Sequence, residues 1–218
     1  MSDHLTLEHV DSDGALQEAY EKMGGDTRAG FFKKALFAGG GLTVGGVVLG
    51  GLPALVSADP GPAQDVAILN FALTLEYLEA AFYKEALAMG ALKGRVLKLA
   101  KVVANHEAQH VAALKGALGS AAIAKPTFNF KGTTSDQAKF MATSIVLEDT
   151  GVAAYNGQGQ NLTKKTLAAA ATIVSVEGRH AAWIRDIVGQ NPAPAAFDPL
   201  KTKGQILAAV KSTGFITG

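Results

Sequence analysis

The chain has 218 residues, no cysteine and a formal net charge of +1 at pH 7, with 20 Lys and Arg against 19 Asp and Glu. That balance, with no Lys/Arg stripe interleaved with aromatics, excludes the electrostatic footprint of a nucleic-acid binder. Lack of cysteine excludes disulfides, thiolate metal sites and a rubredoxin-type iron centre, so any metal must be held by His and carboxylates.

Residues 1–26 are polar and acidic. They are followed by the cluster Thr27, Arg28, Ala29, Gly30, Phe31, Phe32, Lys33, Lys34 and then an apolar, Gly-rich run over residues 35–56. Charge, apolar stretch and the small-residue end Val56-Ser57-Ala58 predict an export signal over residues 1–58, cleaved after Ala58. Thr27 to Lys33 resembles a twin-arginine signal, although Ala29 stands where the second arginine belongs. The alternative is an uncleaved membrane anchor, because about 22 apolar residues can span a bilayer. Seven glycines in that run weaken it as a helix and favour the signal. Either reading leads to an exported domain, whether periplasmic, in the cell envelope or extracellular.

Beyond Asp59 the apolar residues recur at helical spacing with no alternating run, which predicts an all-α domain over 59–190. A first helix is expected from Ala63 to Met89, stopped by Gly90, and a second from Lys93 to Leu118, stopped by Gly119. The third is expected to start after Thr134 or Ser135 and run to Gln160, weakened by Gly151, Gly157 and Gly159. A fourth begins at the cap Thr163 and ends near Gly189. In the tail, 191–218, Thr202-x-x-Gln205 reads as a capping box opening one more short helix. Short links make helices 1 and 2, and likewise 3 and 4, antiparallel hairpins. The fifteen-residue link 119–133 can reach about 50 Å at ~3.3 Å per residue, enough to cross the whole bundle beside a helix of about 39 Å.

Beyond Ala58 the chain holds six Glu, three His and three Arg. On helix 2 the apolar stripe Val96, Leu99, Val103 continues through Glu107 and His110 to Leu114 and Leu118; on helix 4 Ala170 and Val174 lead through Glu177 and His180 to Ile184. Glu76 interrupts the core stripe of helix 1 and Glu148 that of helix 3. Glu76 and Glu107 are equidistant from the first hairpin's turn, as Glu148 and Glu177 are from the second's, so each hairpin sets its carboxylates at one height. The hairpins also repeat one pattern: Leu75-Glu76 with Tyr83 matches Leu147-Glu148 with Tyr155, and Glu107-x-x-His110 matches Glu177-x-x-His180. Four unpaired buried carboxylates would cost several kcal/mol each, and two divalent cations would remove that cost.

Around this core, Glu79, one turn from Glu76, is a candidate seventh ligand, but it pairs in height with Ala104 and is expected to be partly exposed; His106, rotated about 100° from Glu107, is expected to be a packed or surface residue rather than a ligand. Tyr83 and Tyr155 lie on the core stripes, where a hydroxyl needs a hydrogen-bond partner. Asp149 and Arg179 are candidates to orient the ligands.

Over residues 62–189 this pattern resembles the ferritin-like di-iron carboxylate superfamily, and more narrowly the exported ferritin-like proteins similar to desiccation-related proteins. The resemblance implies a four-helix bundle with one long crossover between helices 2 and 3. It further implies two Fe ions, with Mn the alternative, held by Glu76, Glu107, His110, Glu148, Glu177 and His180. Glu107 and Glu177 would bridge the metals, Glu76 and Glu148 would be terminal, and each histidine would cap one ion. The activity implied is a ferroxidase or peroxidase-like reaction with oxygen or peroxide, in oxidative or desiccation stress. Two other readings stand beside it: iron binding or storage without turnover, and a manganese catalase-like enzyme.

Overall fold

The computed structural model describes residues 62–217. The export-signal and anchor readings of residues 1–58 lie outside the described residues. Four long helices, α1 (Ala63–Met89), α2 (Gly94–Leu118), α3 (Gln137–Gly159) and α4 (Lys164–Ile187), are followed by the shorter α5 (Lys203–Thr213). Every boundary of α1 to α4 falls within two residues of the sequence expectation. Helix α1 ends because Gly90 adopts the left-handed φ of 69° that closes a helix without a Cβ clash. The start of α3 is corrected: its cap is Asp136, whose side chain accepts from the Lys139 amide, rather than Thr134 or Ser135. Those two earlier residues serve the link, Thr134 donating to Glu85 and Ser135 to the Gly132 carbonyl. Thr202 and Gln205 close the expected capping box on α5.

Helices α1 and α2 pack along their length, as do α3 and α4, and the hairpins meet through α1 on α3 and α2 on α4. Tyr83 bonds Glu148 while Tyr155 bonds Glu76, so α1 and α3 are antiparallel. With α1 and α2 also antiparallel, α2 and α3 run the same way and the link between them must cross the bundle. It does so along α1. Near its start Ile123 donates to Asn70, and near its end Thr134 donates to Glu85. Gln137, the first residue of α3, accepts from the amide of Lys93 at the opposite end of α2 from where the link began. Midway, the link pairs with the C-terminal residues, Asn129 N donating to Phe215 O at 2.8 Å and Thr217 N to Thr127 O at 3.0 Å.

Two apolar clusters fill the bundle. One, with Phe82, Leu92, Val96, Leu99, Phe130 and Phe140 among its members, occupies the end near the α1–α2 turn and is sealed by Ile206, Val210 and Phe215 of the tail. The other, with Leu69, Leu73, Leu114, Leu118 and Ile173, fills the opposite end. At that end Asp65 accepts from the Thr163 amide and from the hydroxyls of Thr163 and Thr166. This carboxylate from the first hairpin thereby caps the first turn of α4 in the second, where the Thr163 side chain makes no cap bond of its own.

The glycines of α3 prove to be contact points. At Gly157 the tail lies directly on the helix: a Cβ there would stand 1.9 Å from the Lys201 carbonyl oxygen, and Lys201 N donates to Ala153 O at 3.2 Å. Replacing a helical Gly with Ala ordinarily stabilises by about 0.5–1 kcal/mol. At Gly157 the sign should reverse: Gly157→Ala is expected to cost about 1–3 kcal/mol by forcing the tail off α3. Gly116→Ala on α2, where nothing stands within 4 Å, should show the ordinary gain in the same urea titration.

Candidate metal centre

Each of the four bundle helices sends one glutamate into the layer between the two apolar clusters. Glu76, Glu107, Glu148 and Glu177 have no exposed surface, and His110 and His180 are buried beside them. On α2 and α4 the three-residue step from Glu to His keeps both side chains on one face. The Nδ1 atom of His110 lies 3.2 Å from Glu76 Oε2, 3.3 Å from Glu107 Oε2 and 2.9 Å from Glu177 Oε1. His180 repeats the arrangement, its Nδ1 lying 3.2 Å from Glu107 Oε1, 3.2 Å from Glu148 Oε2 and 3.5 Å from Glu177 Oε2. All six residues singled out from the sequence therefore converge.

They converge as two overlapping groups with ligand-capable atoms within 4.8 Å of one another: Glu76, Glu107, His110 and Glu177 in one, and Glu107, Glu148, Glu177 and His180 in the other. Each group could hold a metal ion. Glu107 and Glu177 belong to both.

The hydrogen bonding divides the carboxylates the same way. Glu148 Oε1 accepts from Tyr83 and Glu76 Oε1 accepts from Tyr155, the latter at 2.6 Å. Burial, reinforced by the adjacent carboxylate, raises both phenols well above their usual range, so they stay protonated as donors. By contrast, Glu107 Oε1 and both oxygens of Glu177 are buried with no hydrogen-bond donor. These oxygens lie beside imidazole Nδ1 atoms, at 2.9 Å for Glu177 Oε1, 3.2 Å for Glu107 Oε1 and 3.5 Å for Glu177 Oε2. Buried anionic oxygens without donors are costly, and they are the two carboxylates common to both groups. The residues present thus fit a pair of divalent cations, which would satisfy those oxygens directly.

The titration behaviour reflects the crowding. Burial pushes Glu107 well above the usual carboxylate range, and the charge of Glu177 adds to it. Glu148 rises to about 7, burial outweighing the help of His180. Burial also acts against ionised Glu177, but the flanking His110 and His180 outweigh it and hold Glu177 down to about 2. For the imidazoles burial disfavours charge, yet the surrounding glutamates prevail: His110 is raised, and His180 is pushed up to about 12. Without metal, protons on the imidazoles and carboxylates balance the cluster.

One sequence expectation at the site is corrected. Glu79 is buried at 3% exposure rather than partly exposed. It faces Gly151 of α3, where the missing side chain leaves room for its carboxylate. His106 is a packed residue outside both ligand groups, as expected: its Nδ1 lies 2.9 Å from His180 Nε2 and the two rings stack with centroids 5.2 Å apart. Asp149 pairs with Arg185 on α4, away from the ligands. The partners of Tyr83 and Tyr155 were not predicted, although their matching seven-residue spacing from Glu76 and Glu148 was the signal that could have found them.

No protein of curated function matches the chain. The ferritin-like domain family matches residues 64–190, spanning all four helices and all six converging residues. With the four-helix bundle, the crossover and the buried carboxylate and histidine layer in place, the chain belongs to the ferritin-like domain family.

Proposed function

We propose that the protein binds two iron ions in this layer and uses them to reduce oxygen or peroxide. The observation that carries the reading is the overlap of two ligand groups in Glu107 and Glu177. On this reading those two glutamates bridge the ions, Glu76 with His110 completes one position, and Glu148 with His180 completes the other. Carboxylate oxygen and imidazole nitrogen suit iron, with manganese the alternative. A bound ferrous pair would supply two electrons, enough to reduce hydrogen peroxide to water or oxygen to hydrogen peroxide.

The chain's own residues prepare the site in three ways. Tyr83 and Tyr155 each hold one oxygen of a terminal carboxylate, leaving Glu148 Oε2 and Glu76 Oε2 turned toward the histidines. With Nδ1 of His180 directed at the carboxylates, the neutral ring carries its proton on Nε2 and donates it to Nδ1 of His106. The apolar clusters on both sides keep bulk water from competing for the ligand atoms.

Anaerobic titration with ferrous iron should show two ions per chain, and the loaded protein should then consume oxygen or peroxide. Glu107→Ala should lower metal content and turnover together while the far-ultraviolet circular dichroism stays helical. Binding of two ions without turnover would move the function to storage. Failure to bind ferrous or manganous ions would overturn the proposal.

Metal uptake should also release protons. Each imidazole must lose its proton before Nδ1 can ligate, and the protonated forms persist to high pH. Apparent affinity should therefore rise with pH and fall as the solution is acidified. Calorimetric titrations in buffers of different ionisation enthalpy will measure the protons released, with at least one expected per histidine.

A further inference from the structure

The internal repeat is nearly symmetric, and it breaks in two places that affect the same half of the site. Glu76 and Tyr83 of α1 correspond to Glu148 and Tyr155 of α3, so the position matching Glu79 is Gly151. Glu107 and His110 of α2 correspond to Glu177 and His180 of α4, so the position matching His106 is Val176.

At the first break, Glu79 is 3% exposed, and among the described residues its carboxylate has no hydrogen bond or ion pair. A Cβ on Gly151 would stand 3.3 Å from Glu79 Oε1, 3.8 Å from Glu79 Oε2 and 3.8 Å from Glu177 Oε2. The carboxylate thus occupies the space that a side chain at 151 would take, pointing toward Glu177. Burial first, then repulsion from Glu177, Glu148, Glu107 and Glu76 in that order, raises its pKa well above the usual range. The Glu177 oxygen that shares this space with Glu79 is Oε2, which lies 3.5 Å from His180 Nδ1, whereas Oε1 faces His110, so Glu79 stands on the His180 side of the cluster. At the second break, His106 gives His180 a partner at Nε2, whereas Val176 has no hydrogen-bonding side chain to offer His110.

We propose that Glu79 is a seventh ligand, serving the position built from Glu148 and His180, so that the two metal positions are unequal and this one binds more tightly. The proposal rests on the two-metal reading of the same site. Three observations converge on it: a buried carboxylate without a donor, a glycine that makes room for it, and a histidine that orients the ligand of the same position. A metal ion is the partner that would satisfy the Glu79 oxygens, since no donor among the described residues reaches them.

The test is an anaerobic titration of the full chain with Co(II), whose visible absorption intensity reports coordination number, alongside wild-type and variant melting curves. Wild-type protein should take up two ions in two resolved steps, the first with the weak absorption of a five- or six-coordinate ion. Glu79→Gln keeps the side chain's size, and it should weaken the first step at least tenfold, intensify its absorption and leave the second step in place. Gly151→Ala, which crowds the carboxylate without removing it, should shift the first step in the same direction by a smaller factor. Unchanged steps and spectrum in Glu79→Gln would overturn the seventh-ligand proposal and leave the two-metal reading intact. A wild-type protein that takes up no Co(II) would overturn both.

Discussion

Five glutamates and two histidines share one buried layer of a helical bundle, and the need to balance that charge governs the rest of the molecule. Each ionised carboxylate removed from water costs several kcal/mol unless it is paired. Beyond Ala58 the chain has only three arginines, two of which are engaged with Asp186 and Asp149 away from the layer. The compensating charge must come from the imidazoles, from bound protons or from metal cations. Glu107 Oε1 and both oxygens of Glu177 make no hydrogen bond and have only ion-pair contacts to the imidazoles, which marks them as the atoms a cation would satisfy.

The same constraint explains how the hairpins are joined. At the level of the site, the bonds from Tyr83 to Glu148 and from Tyr155 to Glu76 run between α1 and α3 in opposite directions. Each tyrosine rises from one hairpin to fix a carboxylate of the other. The two halves of the layer are therefore positioned by each other, and neither hairpin could present its ligand set alone. Above and below, aromatic and aliphatic clusters enclose the layer. Phe82 stacks on Phe140 with ring centroids 5.1 Å apart and the planes 3° from parallel, and the ring of Tyr83 meets Phe140 edge-on at 5.5 Å, which packs α1 against α3 beside the Tyr83 bond. Asp65 caps α4 from α1 at the far end, so polar as well as apolar contacts hold the hairpins in register.

A chain of this size can put symmetric function into a repeated motif and then modify one copy. Here both modifications, Glu79 facing Gly151 and His106 facing His180, fall on the Glu148–His180 half. A reaction that takes two electrons from two metals does not require the metals to be alike. On the proposed two-metal reading, unequal positions would let one ion be held while the other stays more accessible to an oxidant.

Much of this was legible in the chain itself, because helical periodicity and hairpin arithmetic are local properties. Apolar stripes placed Glu107, His110, Glu177 and His180 on buried faces, and equal distances from two short turns set the carboxylates at one height. The length of the link, set against the length of the helices, allowed a crossover. What the chain could not reveal depended on which residues face each other across hairpins. Glu79 is buried only because Gly151, seventy-two positions away, has no side chain to occupy its space. His106 meets His180 because α2 and α4 approach closely there, and Gly157 is required because the tail folds back onto α3. The periodicity of one helix records which side of it is buried; the identity of the atom that meets it is decided only when the second hairpin packs against the first.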